Sequence, residues 1–177
     1  MADHLKAKVA ALALAGIAAL TVSMSTSQVE HTKTHEGVRT TAYADPYYGW
    51  TLPTICYGST AGVTRGQKAT LAECDQRLRK DIQVACDRVK RDLKGTGVLL
   101  TQGEQDAYCS FAFNTGYFKY QRNGNLTSMY KNVVAGKPYE ACMALNLYTY
   151  ANGKQSRGLA NRRAQESARC VSDFVKG

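Results

Sequence analysis

The chain has 177 residues, of which 44% are apolar and 21% charged, with Gly 15 and only Pro 3. That length and composition suit one compact domain with a real core and exclude a low-complexity or disordered chain. Lys+Arg 23 against Asp+Glu 14 gives a formal charge of +9, which draws the chain to polyanions such as nucleic acid, anionic lipid or an acidic wall polymer and argues against an acidic calcium buffer.

At the N-terminus, Lys6 and Lys8 precede a stretch from Val9 to Val29 that carries no charge. Its 21 residues would span about 30 Å as a helix, enough for a bilayer core. The flanking lysines would keep the N-terminus cytoplasmic and send the rest across. The stretch is only weakly apolar: its first half is mostly alanine with Gly16, and its second half includes Thr21, Ser23, Ser25, Thr26, Ser27 and Gln28. Three readings stay open: a cleaved signal peptide with Ser23-Met24-Ser25 as its small-residue site, a permanent anchor, or a segment that enters the membrane and leaves it again. Lys6 and Lys8 argue against a core helix of a cytosolic protein.

Glu30 to Gly37 predicts a short helix stopped by Gly37, a natural residue after a helix end. From Val38 to Gly66, glycines and Pro53 punctuate Tyr/Thr/Ile-rich runs, and Ala42-Tyr43-Ala44 and Thr54-Ile55-Cys56-Tyr57 read as strands of a small hairpin or meander. Thr70 and Glu73 form a capping box that opens a helix with an apolar stripe through Leu78, Ile82, Val89 and Leu93. Thr101 and Glu104 form a second box, starting a helix that runs to Asn114 with Gly116 beyond it. Further helices are expected over 126–135, from Pro138 to near Gly153, and from about Asn161 to Phe174. The fold class is α+β: a small β-containing lobe followed by a mostly helical one.

All six cysteines lie beyond residue 55, none forms a CxxC pair, and the histidines are His4, His31 and His35. A zinc site with ordinary ligand spacing is therefore not expected, nor is any other metal or cofactor. Six spread cysteines fit an oxidising compartment; buried reduced thiols are the alternative. Cys74 and Cys86 stand 12 residues apart on one helix, about 18 Å along its axis, which exceeds the ~7 Å reach of a disulfide. The neighbouring elements favour Cys56–Cys74, Cys86–Cys109 and Cys142–Cys170.

Two carboxylates stand out in the first half. Glu36 closes the short helix, where the negative end of the helix dipole disfavours an ionised side chain, as a general acid requires. Asp45 follows nine residues later beside the hairpin, in a setting where a hydrated carboxylate stays charged. Such a pair serves glycoside hydrolysis, but its spacing alone says little, and a helix-end glutamate with a turn aspartate before Pro46 is the plainer reading. From Lys154 on, six basic residues face two acidic ones, which suits either a wall-binding face or a solvated helix face.

The runs His35-Glu36-Gly37-Val38-Arg39, Ala42-Tyr43-Ala44-Asp45 and Thr54-Ile55-Cys56-Tyr57-Gly58 resemble the active-site lobe of phage-type lysozymes, glycoside hydrolase family 24. Leu100-Thr101-Gln102 with Ser110-Phe111-Ala112-Phe113-Asn114-Thr115-Gly116 resembles that family's central helix, and Gly158-Leu159-Ala160-Asn161-Arg162-Arg163 its late segment. The likeness runs in family order from about residue 30 to 172, and its specificity lies in the combination. It implies a two-lobed lysozyme-like fold around a glycan cleft. It implies Glu36 as the acid, Asp45 as the residue that positions or activates water in an inverting reaction, and a threonine that helps hold the water. Thr54 matches by strand context, while Thr51 matches by distance from the aspartate. By the same analogy Arg162 pairs with Glu36, with Arg163 as competitor. Asn114 contacts sugar or serves structure. Tyr48 and Trp50, with Tyr47, rim the cleft, where sugar stacking and hairpin packing are both open. Ser59 departs from a frequent histidine.

The N-terminal stretch resembles a signal-anchor-release segment of endolysins from phages of Gram-negative hosts. The division is then residues 1–29 as that segment and 30–177 as the lysozyme domain. The implied protein is a monomeric muramidase, held at the host inner membrane facing the periplasm through residues 9–29 and then released to cut peptidoglycan. A cysteine switch inside the anchor is not available, because residues 1–55 lack cysteine. The alternatives are a lytic transglycosylase using Glu36 alone and a non-catalytic, membrane-tethered glycan-binding protein. A nucleic-acid binder would explain the charge but neither the carboxylates nor the apolar segment.

Overall fold

A computed structural model describes residues 21–174 of the protein. Residues 9–20 of the expected membrane segment lie outside the described residues. Among the described residues, no helix is long and apolar enough to cross a membrane.

Helix α1 spans Thr26–Glu36 and begins four residues earlier than the sequence suggested. Its start is set by Ser25, which caps the helix by accepting from the Gln28 amide and is itself anchored by Asp106 from 81 positions away. Val22 and Val29, both inside the expected membrane stretch, are buried in the main core. Gly37, at φ 63°, ends the helix in a conformation that a side chain would strain.

The chain then forms an antiparallel hairpin of β1 (Arg39–Asp45) and β2 (Gly49–Cys56). Register shifts between Arg39 and Tyr43 and between Ala44 and Asp45 interrupt the ladder, and such irregularities bend and twist a strand. Helix α2 (Leu71–Leu93) opens with the expected capping box of Thr70 and Glu73. An ion-pair chain joins α1 to α2: Lys33 pairs with Glu30 and Asp75, and Arg79 with Asp75 and Glu30. Helix α3 (Gln102–Thr115) carries the second box, of Thr101 and Glu104. It lies tight against α6 (Arg157–Val171): a Cβ on Gly103 would stand 2.6 Å from the Arg169 carbonyl oxygen.

Between them come α4 (Ser128–Val134) and α5 (Pro138–Met143), followed by a 3-10 turn over Ala144–Leu147. The helix expected to continue toward Gly153 ends there. Residues beyond it form a second hairpin, β3 (Tyr150–Ala151) with β4 (Lys154–Gln155). Its two-residue turn is Asn152-Gly153, both at positive φ, a turn signal that outweighs helical continuation. Ser156 then caps α6, which starts at Arg157 and not near Asn161.

Two separate cores result. Ala42, Ile55, Cys56, Val63 and Cys74 form the small core under the hairpin. Leu78, Val89, Tyr108, Phe111, Phe118, Met129 and Leu145 belong to the large helical one. Cys56–Cys74, Cys86–Cys109 and Cys142–Cys170 are bonded, the first tying the hairpin to α2 and the second tying α2 to α3. The architecture is the α+β, two-lobed one that the sequence predicted.

Candidate active site

Glu36 occupies the last helical position of α1, with its side chain 23% exposed. Arg162 of α6 reaches it from 126 positions away and donates from Nη1 to Oε1 at 2.6 Å. Arg162 is itself 7% exposed, so the general-acid candidate is held by a nearly buried guanidinium. Charge-assisted pairs of this kind are short and directional.

Behind that pair lies a buried charge network that sequence reasoning missed. Glu166 Oε1 accepts from Arg162 Nε at 3.3 Å and from the Ser110 hydroxyl at 2.7 Å. Its Oε2 lies 3.0 Å from Arg163 Nε. Burial pushes the Glu166 carboxyl up from its ordinary range, while Arg163, Ser110 and Arg162 pull it back. Arg163 is fully buried, stacks on the Phe111 ring and donates from Nη2 to Asn114 Oδ1 at 2.7 Å. The order along the wall is therefore Glu36, Arg162, Glu166, Arg163, Asn114. The signal for Glu166 was present in the spacing: it stands at i+4 from Arg162 and i+3 from Arg163, so one helix face brings all three together. Asn114 is exposed and carries a structural bond through its oxygen.

The hairpin residues form a second group. Asp45 Oδ1 accepts the amides of Tyr47 at 2.8 Å and Tyr48 at 2.9 Å, an Asx-type cap of the turn. Thr51 is exposed and its hydroxyl bonds the Tyr48 carbonyl in the same turn. Thr54 is 4% exposed, pairs across the ladder with Tyr43, and bonds the Leu52 carbonyl at 3.2 Å. Tyr47 and Tyr48 present open rings, and Trp50 carries the Arg65 guanidinium at 4.8 Å over its ring. Among the described residues, no hydrogen bond or ion pair joins this group to Glu36.

One further titratable group adjoins Glu36. The His35 imidazole is held below its ordinary value by partial desolvation, by Arg162 and by the neighbouring His31, against smaller opposing effects of Gln165 and Glu36. The rings of His31 and His35 stack at 4.9 Å. Among the described residues, no cluster of three or more histidine, cysteine, aspartate or glutamate side chains is arranged to hold a metal ion.

The chain is 34% identical over 179 residues to a SAR-endolysin of Pseudomonas phage phiKMV, covering 97% of this chain and 93% of that one. Its fold superposes on the active form of the phage P1 endolysin Lyz with a TM-score of 0.72 at 26% identity, covering 86% and 87% of the two chains. It superposes on the muramidase domain of SpmX from Asticaccaulis excentricus with a TM-score of 0.71 at 29% identity, covering 85% and 98%. The family described as phage lysozyme matches residues 33–166, a span that holds Glu36, the hairpin and the Arg162–Glu166 wall, and the chain belongs to that family.

Proposed function

We propose that this phage lysozyme is an endolysin that hydrolyses the β-1,4 bond between N-acetylmuramic acid and N-acetylglucosamine in peptidoglycan. The observation that carries the reading is the Glu36 carboxyl, partly exposed at the end of α1 and held from behind by a buried arginine. Glu36 protonates the departing glycosidic oxygen. Asp45, whose Oδ1 is fixed by two turn amides, keeps its second oxygen for a water. That water attacks from the opposite face and inverts the anomeric centre. Thr54 helps hold the water, with Thr51 as the alternative. Tyr48 and Trp50, with Asn114, contact the glycan, and Arg162 positions the acid. No cofactor enters this scheme.

The chain acts as a monomer, tethered to the periplasmic side of the host inner membrane through residues 9–29 and then released. The domain division is 1–29 and 30–177. The packing of residues 22–29 supports a choice between two states. Val22 and Val29 are buried in the protein core and Ser25 is bound to Asp106. The same residues cannot lie in a bilayer while making those contacts, so α1 takes this form only after the segment leaves.

The test is muropeptide mass spectrometry with wild type and Glu36→Gln on purified peptidoglycan. Hydrolysis leaves reducing sugar ends and one added water per cut. Anhydro ends would instead establish a lytic transglycosylase, and undiminished activity of Glu36→Gln would remove the general-acid assignment. An intact N-terminus in membrane fractions before lysis is expected for the tether; a mature N-terminus near Thr26 would replace it by ordinary secretion.

A further inference from the structure

A cavity of about 320 Å³ lies between α1 and α6, on the face of the catalytic helix that carries His31 and His35. Gln28, His31 and His35 line it from α1, Ser110 from α3, and Arg162, Gln165, Glu166 and Arg169 from α6. Nearly every polar group in that set is a hydrogen-bond donor or becomes one on protonation. Three of the lining atoms are buried without a hydrogen-bond partner: Arg162 Nη2, His31 Nδ1 and Glu166 Oε2, the last of which is ion-paired with Arg163. The first is the most telling. Arg162 is 7% exposed, its Nη1 is taken by Glu36 and its Nε by Glu166, and buried guanidinium donors are rarely left unsatisfied.

We propose that this cavity is a binding site for a phosphate-class oxyanion, held by Arg162 Nη2 and by His31, His35 and Gln165. The charge balance favours an anion over a metal cation. Arg162 and Arg169 both border the space, and Arg169 contributes its field while its nitrogens bind Asp106, Ser172 and Asp173. The one carboxylate in the lining, Glu166, is already taken up by Ser110, Arg162 and Arg163. His31 and His35 would each offer a ring N–H to the anion, and protonation of either would strengthen the hold. An oxyanion on Nη2 and Glu36 on Nη1 share one guanidinium, so the site adjoins the catalytic wall without overlapping the hairpin. The proposal stands on the cavity and its donors and does not require Glu36 to be the acid.

The ring resonances of His31 and His35 in the full chain report occupancy. Inorganic phosphate, titrated at constant ionic strength against chloride, is expected to shift both rings saturably. Gln165→Glu places a carboxylate in the same space and should abolish the shift while the protein stays folded. Chloride reproducing the shift, no saturation, or an unchanged response in Gln165→Glu would each overturn the site. A parallel titration with monomeric dihexanoyl phosphatidylglycerol identifies the source: competition with phosphate points to a lipid headgroup, and phosphate binding without competition points to the free ion.

Discussion

The two walls of the candidate cleft are built on opposite principles. The helical wall is closed: Arg163 and Glu166 are almost without exposure, and each polar group in the chain from Glu36 to Asn114 leans on the next. The hairpin wall is open: Asp45 is fixed by local turn amides, and Tyr47 and Tyr48 stand in solvent. The proposed proton donor, Glu36, is kept to one place and one partner by a buried network whose geometry is over-determined. The water-handling role proposed for Asp45 needs access to water, and a local turn suffices to orient that side chain.

The comparison breaks most sharply at Glu36. Glu36→Gln is expected to lower wall-degrading activity by at least ~100-fold, the scale of general acid catalysis, with a melting midpoint near that of the wild type. Asp45→Asn should also lose most activity, measured on the same substrate. A stability loss as large as the activity loss in Glu36→Gln would mean that the pair with Arg162 serves the fold and not the chemistry.

Next comes the buried network itself. Arg163→Ala removes the cation beside Glu166 Oε2 in a dry setting, leaving that carboxylate to Arg162 and Ser110, and should cost ~3–5 kcal/mol, read by denaturant unfolding. Tyr47→Ala in the open wall should stay within ~0.5 kcal/mol. Equal costs would show that the two walls do not differ as described.

Smaller effects sharpen the tie between hairpin and helices. Cys56→Ala with Cys74→Ala removes the link between β2 and α2 and should cost roughly 3 kcal/mol by the loop-closure account. Its activity loss should exceed what the lost stability alone explains, because the hairpin carries Asp45. Thr54→Ala and Thr51→Ala separate the two threonine assignments: the one that reduces turnover on peptidoglycan without shifting unfolding holds the water.

The smallest effect is on pH dependence. The folded His35 lies below its ordinary value of 6.5, so the unfolded chain takes up this proton first. Its stabilising contribution is present above pH 6.5 and is lost as pH falls through the folded value. His35→Gln should flatten the decline of the melting midpoint over that interval. A steeper decline would reverse the sign assigned to its surroundings.

Much of this was legible in local sequence. The capping boxes at Thr70 and Thr101 fixed two helix starts, because both partners of a capping box lie within one turn. The cysteine pairing was accessible from element order and helix rise, since distance along a rigid helix excludes Cys74 with Cys86. The double arginine and its spacing to Glu166 lie on one helix face. The Asn152-Gly153 turn was equally local, and its signal should have ended the helix begun at Pro138.

What the sequence could not supply depends on contacts between distant segments. The start of α1 has a local mark in the Ser25 cap on Gln28, but that cap is anchored by Asp106, 81 residues beyond Ser25, and no local pattern marks this contact. The same holds for the partner of Glu36, 126 residues away, which only a family resemblance suggested. Whether Arg162 is a solvated helix arginine or a buried one with a spare donor beside a cavity is decided by how α6 packs on α1 and α3. Side-chain periodicity fixes which residues share a face. Packing decides which faces meet, and only that meeting creates a buried charge, its partner and the space left beside it.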